Sequence, residues 1–530
     1  MMKYMYQALT PKPLAPGEEL VKISSMPNRA QPAFKGMAEL NRIQSKVYET
    51  ALFSAHNILL CAPTGAGKAD VAMLTILQQI ALNRNDNESS DNKNCKIVYV
   101  APMQEMVAEV VGYLSNRLQD YDVEVKELSG DKTLTSQQIK ETQIIVATPE
   151  KWDMITRKSG DRTYPQQVKL VIIDEIHLLH DDRGPFLESI VARIVRQIVT
   201  TKGHIRLVGL SATFPNYEDV ALFLQVDLNK GLFYFDNSYR PVPLVQWHKV
   251  ISVAGKHQVL NFVHSGTETA KTAHALRDGA LANDTLGKFL KEDSVSREIL
   301  QSHTELVESN DLKELLPYGF AIYHAEMVTA DRRIVEDLFS DGQIQVLVST
   351  ATLAWGVNLP THTVIIKGTQ RYNPEKGAWT ELSHVDVMQM LGHAGRPQHD
   401  SYGEGVIITG NSDLPYYLSV MNQQLPIESH FVSKLADRLN AEIVLGSVQN
   451  AKEACIWLGY TYMFIRMLRN PTLYGLAADV LAVDNLLAKR RADLVHSAAT
   501  LLEKNDLIKY DRTSGHFQVT DLGRIAALTV

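Results

Sequence analysis

ILLCAPTGAGK, running from Ile58 to Lys68, is a short apolar run followed by a glycine-rich turn that ends in lysine. The apolar run predicts a buried strand, and the glycines allow backbone N–H groups to curl around a phosphate. The helix expected after the turn adds the positive end of its dipole, and Lys68 reaches the outer phosphates. A glycine-rich turn alone is more often structural. Strand, lysine and helix in this order predict a phosphate-binding loop, formed by Thr64, Gly65, Ala66, Gly67, Lys68 and Ala69.

Short apolar runs of this kind alternate with amphipathic stretches over most of the chain. Each run is apolar on both faces, as is required of a strand buried between two helical layers. The alternation predicts parallel sheets of the α/β class. Two successive sets of runs indicate two such domains in tandem. The predicted strands lie at 58–61, 97–100, 144–146, 170–173 and 207–210, and then at 259–263, 320–322, 346–348, 364–366 and 406–408.

The pattern changes after about residue 424. A helical stretch is followed by two short apolar runs that flank a turn at Ser514-Gly515, and a helix followed by a β-hairpin is the ending of a winged-helix module. Many small α+β domains also end in this way. The apolar face of the helix is predicted to carry Leu487, Leu494, Ala498 and Leu501. The predicted organisation is an arm at 1–39, a first α/β domain at 40–243, a second at 244–423 and a winged-helix domain at 424–530.

Composition limits the class of protein. The chain has 530 residues, of which 45% are hydrophobic and 21% charged, so bulk disorder is excluded. No apolar run approaches the roughly 18 residues of a membrane-spanning helix, and the first residues do not form a secretory signal. The net charge of −7 would not attract the negatively charged backbone of nucleic acid, so any nucleic-acid binding must depend on local sites. The three cysteines, Cys61, Cys95 and Cys455, form no metal-ligand pair, so we expect a reducing compartment and no structural zinc.

Two further motifs carry candidate catalytic residues. Asp174 and Glu175 follow the predicted strand at 170–173; in phosphate-loop proteins such an Asp holds Mg²⁺ through water and the Glu polarises the attacking water. Two solvated carboxylates would be the ordinary interpretation, but the phosphate loop upstream favours a hydrolytic role. Arg396 lies in a glycine-flanked turn after Gln389, and an arginine there can neutralise charge on a γ-phosphate. The alternative is a surface arginine that caps a helix.

The motifs in this order resemble a known family. The chain is similar to the Ski2-like superfamily-2 helicases, and most of all to the spliceosomal RNA helicases in that group. The short motifs are APTGAGK at 62–68, DEIH at 174–177, SAT at 211–213, STATLAWGVNLP at 349–360 and QMLGHAGRP at 389–397. Longer matches are LNRIQSK at 40–46, TPEKWD at 148–153, FPNYEDV at 214–220 and NAEIVLGSVQNAKEA at 440–454.

The resemblance implies two RecA-like domains and a winged-helix domain, which form one helicase cassette that uses ATP and Mg²⁺. It implies RNA and spliceosomal snRNP proteins as partners, a nuclear location and no membrane. Gln44 would read adenine, and residues 366–382 would include a strand-separating hairpin. The other implied site residues are Gly356 and Asn358 for the nucleotide, Gln389 and Arg396 for the γ-phosphate, Asp174 for the metal, and Gly130, Asp131, Thr148, Pro149 and Thr350 for the nucleic-acid backbone.

The sequence departs from the family pattern at residues that are expected to contact the phosphates, Mg²⁺ or RNA. Ala69 stands where the family has a Thr that ligates Mg²⁺, and it is followed by Asp70, a carboxylate near the phosphates. His393 stands where the finger motif has an Arg, and an imidazole cannot form a guanidinium fork. Gln104 and Glu326 replace an Arg and a Gly that would face RNA. The connector from Pro243 to Gly255 is also shorter than in the family, so a helix is expected to be missing and an apolar patch exposed.

Three functions stay open at this point. The first is an ATP-dependent RNA helicase, and the second is a catalytically impaired pseudo-helicase that binds nucleotide, RNA or a partner. The third is DNA unwinding, because contacts to the nucleic-acid backbone barely distinguish RNA from DNA. One departure would be ordinary variation. Five departures at phosphate-, magnesium- or RNA-facing places indicate weak Mg-ATP binding and slow turnover.

Overall fold

The fold is described from a computed structural model of the chain. It describes residues 14, 16–63, 65–83, 96–130, 134–157, 167–236, 239, 244–245, 257–282, 285–290, 295–357, 359, 361–373, 377–395, 400, 402–409, 413, 416–417 and 425–529. These residues form two compact units. The first-sheet unit contains residues 17–62, 67–234 and the segment from Leu425 onward, and the second-sheet unit contains mainly residues 235–424.

A seven-stranded parallel sheet lies at the centre of the first-sheet unit, in the order β3-β4-β2-β5-β6-β1-β7. The five predicted strands are all present, and four of them are buried at every residue because they lie between helical layers. The strands are β1 Ile58–Cys61, β2 Lys96–Val100, β3 Val125–Leu128, β4 Ile144–Ala147, β5 Val168–Ile173, β6 Arg206–Ser211 and β7 Leu232–Tyr234.

Helices separate these strands along the chain, as an α/β pattern predicts. The first helix begins with a capping box, in which Asn41 and Gln44 exchange side-chain and backbone hydrogen bonds. A short 3₁₀ helix at Gln31–Phe34 precedes it, and Phe34 is fully buried. The helices are α1 Arg42–Phe53, α2 Lys68–Asn83, α3 Gln104–Arg117, α4 Ser136–Glu141, α5 Pro149–Arg157, α6 Gly184–Thr201 and α7 Tyr217–Phe223.

The second-sheet unit contains a six-stranded parallel sheet in the order β10-β11-β9-β12-β15-β8. Its five predicted strands are also present. A separate antiparallel hairpin pairs β13 with β14. The strands are β8 Leu244–Val245, β9 Val259–Phe262, β10 Phe320–Tyr323, β11 Val346–Ser349, β12 Thr363–Lys367, β13 Gln370–Asn373, β14 Ala378–Glu381 and β15 Gly403–Ile408.

The helices of the second-sheet unit are shorter on average. Most of the predicted connector, namely residues 243 and 246–255, lies outside the described residues. Val259 to Val263, the strand beside which a patch was expected, is buried in this unit. The helices are α8 Gly266–Ala282, α9 Leu286–Phe289, α10 Val295–Thr304, α11 Asn310–Leu315, α12 Thr329–Ser340, α13 Ala351–Gly356 and α14 His384–Gly392.

Residues 425–529 form the predicted helix and hairpin. The helices are α15 Leu435–Val444, α16 Ala451–Leu458, α17 Tyr462–Arg469, α18 Val480–Val483, α19 Ala488–Lys504 and α20 Asp521–Thr529, and the hairpin pairs β16 Ile508–Tyr510 with β17 Phe517–Val519.

The prediction of Leu501 on the buried face of α19 was wrong. Leu501 is 52% exposed, whereas Leu502 is 2% exposed. On a helix, residues three and four positions apart lie on the same face. After Ala498 the core takes the residue four positions later, Leu502, and leaves the residue three positions later, Leu501, outside. Leu487 is buried as predicted but precedes the helix, in the left-handed region.

The segment from Leu425 onward packs on α6 through an apolar core and a group of buried charges. Ala192 of α6 belongs to the same buried cluster as Phe431, Leu435 and Trp457. Beside it, Asp153 accepts hydrogen bonds from three arginines, which we call the Asp153 cluster: Arg157, Arg193 and Arg438. This contact explains why the winged-helix segment lies in one compact unit with the first sheet.

Among the described residues, no helix is long and apolar enough to cross a membrane. The exact limits of the four predicted domains stay predictions, because the compact units group the segments differently from their order along the chain.

Candidate active site

The predicted phosphate loop connects β1 to α2. Gly65 and Gly67 both have φ of 80°, a region that residues with a Cβ rarely adopt. A Cβ at Gly67 would also lie 2.3 Å from Gln44 Nε2, so this position requires glycine. Lys68 begins α2, and its Nζ donates to the Ala62 carbonyl at 3.4 Å. Thr64 lies outside the described residues.

Asp174 follows β5 directly, at the carboxyl end of the strand. Its Oδ2 accepts from the Tyr99 hydroxyl at 2.6 Å, and its Oδ1 accepts from the Glu175 N–H at 2.9 Å. Burial, followed by the neighbouring charge of Glu175, raises the pKa of Asp174 to about 6, although Tyr99 and Lys68 act in the opposite direction. Asp174 therefore lies in a place where a cation would stabilise its charged form.

Glu175 has a left-handed backbone conformation and a buried side chain with one oxygen that lacks a hydrogen bond from the described residues. Its φ of 50° lies in the left-handed region, which costs a residue with a Cβ about 1–2 kcal/mol. The side chain is 5% exposed, and its Oε2 accepts no hydrogen bond from any described residue. A buried carboxylate oxygen without a donor is costly, so its persistence here points to a role with a bound molecule.

His177 lies 3.3 Å from that oxygen but does not neutralise it. Its Nδ1 accepts the Ala212 N–H at 3.2 Å, so Nδ1 carries no proton to share with Glu175. Ser211 Oγ lies 3.2 Å from the same nitrogen and can donate to it. Burial, and then the charge of Lys68, lowers the pKa of His177 to about 3, so the imidazole is neutral at pH 7. His177 thus links the DEIH motif to the SAT motif at the end of β6.

Gln44 lies against the phosphate loop, but both ends of its amide already form hydrogen bonds. Oε1 accepts from the Asn41 N–H at 2.8 Å, and Nε2 donates to Gly67 O at 3.2 Å and to Asp70 Oδ2 at 2.7 Å. Asp70 Oδ1 accepts from the Tyr113 hydroxyl at 2.6 Å. Asp70, expected to bring charge toward the phosphates, thus holds Gln44 in place.

The geometry suits the transfer of a phosphoryl group to water. A glycine loop and a lysine can hold phosphates, Asp174 can hold a cation through water, and Glu175 Oε2 can accept a hydrogen bond from the attacking water. Ala69, the second residue of α2, is exposed and offers no hydroxyl to a cation. The arrangement therefore contains most groups of a nucleotide triphosphatase and lacks one metal ligand.

Comparison with protein families agrees with this geometry. Residues 41–220 match the DEAD/DEAH box helicase model, residues 283–398 the helicase conserved C-terminal domain, and residues 428–504 a winged helix-turn-helix domain. The chain is therefore similar to DEAD/DEAH-box helicases over these segments. The resemblance to Ski2-like RNA helicases, predicted from the motifs, is confirmed, as is the succession of two RecA-like domains and a winged helix.

The helicase relatives are similar over nearly the whole chain. The DExH-box ATP-dependent RNA helicase DExH12 of Arabidopsis thaliana is 70% identical over 96% of this chain, which covers 24% of the relative. The U5 small nuclear ribonucleoprotein 200 kDa helicase of Homo sapiens is 58% identical over 98% of the chain and 25% of the relative. The pre-mRNA-splicing factor brr2 of Schizosaccharomyces pombe is 57% identical. The chain thus spans about a quarter of the length of these relatives.

A solved structure shares the fold at low identity. The DUF1998 helicase MrfA bound to DNA superposes with a TM-score of 0.59 and 16% identity, over 98% of this chain and 61% of that chain. This likeness concerns the fold alone.

The nucleic-acid residues predicted in the first-sheet unit lie at loops and helix starts. Gly130 has φ of 53°, and the Gln104 side chain lies 2.8 Å from where its Cβ would be. The predicted contact residue Gly130 is therefore a neighbour of the residue that replaces a phosphate-facing Arg of the family pattern. Thr148 is 6% exposed and Pro149 begins α5. Asp131 lies outside the described residues. The role of this group in binding RNA stays a prediction.

In the second-sheet unit, Gln389 and His393 approach the same backbone carbonyl. Gln389 Nε2 donates to Ala354 O at 3.3 Å, and His393 Nε2 lies 3.2 Å from it. His393 is 8% exposed, so it occupies a buried position where the family pattern has an arginine. Thr350 caps α13, and Gly356 is its last residue. Asn358 and Arg396 lie outside the described residues.

The hairpin expected within 366–382 is present as β13 and β14. Trp379 on β14 is 65% exposed. Its strand-separating role stays a prediction.

Some partners of the site were not found from the sequence. Tyr99, whose hydroxyl donates to Asp174, lies in the run Ile97–Val100, and that hydroxyl is the only polar side-chain group of the run. The hydrogen bond from Tyr113 to Asp70 and the one between Ser211 and His177 join distant segments, so no spacing rule indicates them.

Proposed function

We propose that this chain is an ATP-dependent RNA helicase core that couples ATP hydrolysis to the separation of RNA strands. The observation that carries the proposal is the unsatisfied Glu175 Oε2 beside Asp174 and the phosphate loop. A general base must present a free oxygen to the proton that it removes, and Glu175 does so at a strand end.

The residues present fit a magnesium ion as well as ATP. The raised pKa of Asp174 and its place beside Lys68 make a carboxylate that a cation would hold in its charged form. Asp174 would hold Mg²⁺ through water, and the bound ion would neutralise charge on the phosphate oxygens. Because Ala69 supplies no direct ligand, we propose that a water molecule fills that coordination position.

RNA is the proposed substrate. Two relatives from Arabidopsis thaliana that are ATP-dependent RNA helicases share 68–70% identity with this chain. Gln104 beside Gly130, the α5 start at Thr148-Pro149 and the exposed Trp379 are the surfaces that we assign to it. An exposed aromatic face can stack on a base without regard to sequence, which suits strand separation.

Spliceosomal snRNP proteins are the proposed partners, and the nucleus the proposed location. Both follow from the similarity to the U5 snRNP 200 kDa helicases and to a pre-mRNA-splicing factor. The impaired pseudo-helicase is not favoured by these comparisons, although Ala69 and His393 support slow turnover in this chain.

The test is RNA-stimulated ATP hydrolysis by the purified chain, together with separation of a short RNA duplex that carries a single-stranded overhang. We expect both activities, and expect Glu175→Gln to bind nucleotide without either. Glu218→Gln, at an exposed position on α7, is the matched control and should behave as the parent chain. Nucleotide binding without hydrolysis in the parent chain would instead establish the pseudo-helicase.

A further inference from the structure

Three side chains that could ligate a metal ion lie at the amino ends of neighbouring strands in the second-sheet unit. His257 precedes β9, His362 directly precedes β12 and Asp400 precedes β15. These strands are adjacent and parallel, so their amino ends meet at one edge of the sheet. The helicase motif at Thr350 follows the carboxyl end of β11, at the opposite edge.

The three side chains are close enough to share one ion. One ligand atom from each residue lies within 4.8 Å of the others. The two imidazoles are stacked with ring centroids 3.6 Å apart and planes inclined by 11°. His362 is 2% exposed, whereas His257 and Asp400 are partly exposed, so an ion could enter from solvent.

The hydrogen bonds of Thr363 indicate which ring nitrogen of His362 carries the proton. Thr363 Oγ1 donates its one proton to Glu404 Oε2 at 3.4 Å. It must therefore accept from His362 Nδ1, which lies 2.9 Å away. That tautomer leaves the lone pair on Nε2, and a polar partner on the far nitrogen is what metal-binding histidines usually have.

His257 contributes a buried ring nitrogen, Nδ1, as a possible metal ligand. Its Nδ1 is buried and has no hydrogen-bond partner among the described residues. The next residue fixes the backbone here, since Gln258 Nε2 donates to Phe339 O and Ile344 O, each at 2.8 Å. This nitrogen is therefore one of the atoms that a ligand could engage.

The strands that carry the three residues form a rigid base. Val259, Ile365 and Val406, one from each strand, make a buried apolar cluster next to the site. The backbone is fixed further by the hydrogen bond from the Glu404 N–H to His362 O at 2.8 Å. Ligands on paired strands keep their spacing better than ligands on loops.

We propose that His257, His362 and Asp400 form a binding site for a divalent first-row transition metal ion of the zinc class. Two imidazole nitrogens and one carboxylate suit zinc, whereas magnesium and calcium prefer oxygen ligands alone. Zn–N bonds of about 2.0–2.1 Å place two ligand nitrogens roughly 3.3 Å apart, within the 4.8 Å that separates the ligand atoms here at most. The rings turn apart on binding so that their lone pairs converge, and water completes the coordination.

This site differs from the one excluded by cysteine spacing. Thiolate sites need paired cysteines, whereas the residues here are separated in sequence and meet only through the sheet order. The metal would tie together the amino ends of three strands and stabilise the second-sheet unit. It would do so independently of nucleotide.

The experiment titrates Zn²⁺ into the metal-stripped full chain by calorimetry and records the visible absorption of the Co²⁺ form. We expect one ion per chain, a tetrahedral Co²⁺ spectrum and a higher melting temperature with Zn²⁺. His257→Asn should lower the affinity by at least the roughly 10–100-fold that even changes to second-shell partners cause. His204→Asn, at an exposed position in the first-sheet unit, is the matched control and should leave the titration unchanged.

The proposal is overturned if the parent chain takes up no Zn²⁺, or if His257→Asn binds it as tightly as the parent. Equal losses in His204→Asn and His257→Asn would also overturn it, because they would indicate nonspecific binding. Should His257→Asn fail to fold, Asp400→Asn at the partly exposed ligand carries the same test, with the Co²⁺ spectrum as its readout.

Discussion

Asp153 and Glu175 are both buried carboxylates of the first-sheet unit, 0% and 5% exposed, but their surroundings differ. Asp153 Oδ1 accepts from Arg193 at 3.1 Å, and Oδ2 accepts from Arg438 at 2.9 Å and from Arg157. Glu175 Oε2 accepts nothing from the described residues, and its backbone is left-handed. A carboxylate with both oxygens engaged holds the structure together. One kept buried without a donor is available to a bound molecule.

The largest effect should come from the unsatisfied carboxylate. Glu175→Gln should lower ATP hydrolysis by about 10²–10⁴-fold, the usual contribution of a general base. The melting temperature should stay the same or rise, since the change removes a buried charge whose Oε2 has no donor among the described residues. Steady-state hydrolysis and thermal unfolding of the same preparation measure the two quantities.

Two results would contradict the functional role assigned to Glu175: a Glu175→Gln chain that still hydrolyses ATP, or one whose melting temperature is much lower than that of the parent. In either case Glu175 would not differ in role from Asp153. Glu218→Gln controls for the loss of a surface charge.

The Asp153 cluster should show the opposite behaviour. Asp153→Asn should destabilise the first-sheet unit by about 3–5 kcal/mol, because the buried Arg157 and Arg438 and the partly buried Arg193 lose the charge that they share. Urea unfolding measures this change. Hydrolysis per folded molecule should remain near that of the parent at low temperature, and a small stability change with lost hydrolysis would reverse our assignment of the two carboxylates.

A third effect concerns two groups that the family pattern has and this chain lacks. Ala69→Thr restores a hydroxyl ligand, and His393→Arg restores a guanidinium. Each should lower the transition-state energy by about 2–4 kcal/mol, by analogy with single oxyanion donors. The double variant should therefore hydrolyse Mg-ATP faster and bind it more tightly than the parent. Equal turnover in parent and double variant would show that neither residue limits the reaction, and Ala69→Ser serves as a partial restoration.

A second buried acid allows the comparison to be extended to pH. Glu188 accepts hydrogen bonds from Ser429 and from the Met463 N–H at 2.8 Å, yet burial raises its pKa from 4.5 to about 8. The folded chain therefore holds this proton more tightly than the unfolded chain. Its stabilising contribution is complete below pH 4.5 and is lost as the pH rises to about 8.

Glu188→Gln should remove that loss. The stability of the variant relative to the parent should rise between pH 4.5 and 8, by up to roughly 1.4 kcal/mol per pH unit. Chemical unfolding at several pH values measures it. Parallel pH profiles for the two chains would mean that Glu188 does not titrate in this range.

The smallest effect concerns RNA affinity. Gln104→Arg should add one phosphate contact beside Gly130, and Glu326→Gly should remove a carboxylate that lies near Gly266. Each added contact should steepen the salt dependence of single-strand binding by about 0.7. Binding measured against salt tests both variants, and an unchanged slope and affinity would show that neither residue meets RNA.

The sequence predicts the strands well because a strand buried on both faces must be apolar at every position. It misses β3, VKEL, which is partly exposed along three of its four residues and carries two charges. It places Lys68, Asp174 and Glu175 correctly at loop and strand ends. It cannot indicate that Asp153 meets Arg438, 285 residues later, because such pairs depend on tertiary packing and leave no local pattern.

The same limit applies to side chains whose neighbours change their role. Asp70 reads as a free charge beside the phosphates, yet Gln44 and Tyr113 engage both of its oxygens. The histidine and aspartate cluster of the second-sheet unit is likewise invisible in sequence, since its members meet only because β9, β12 and β15 are neighbours.

The discontinuity of the first-sheet unit has a consequence for the nascent chain. Its first sheet is complete at Tyr234, but the segment that covers α6 and supplies Arg438 begins only at Leu425. At about 5–20 residues per second, a ribosome needs roughly 10–40 s to synthesise the intervening stretch. During that interval Asp153 lacks one of its three arginines, and the apolar side of α6 faces solvent. We expect the growing chain to be most prone to aggregation in that interval, and a ribosome-associated chaperone would have its greatest effect there.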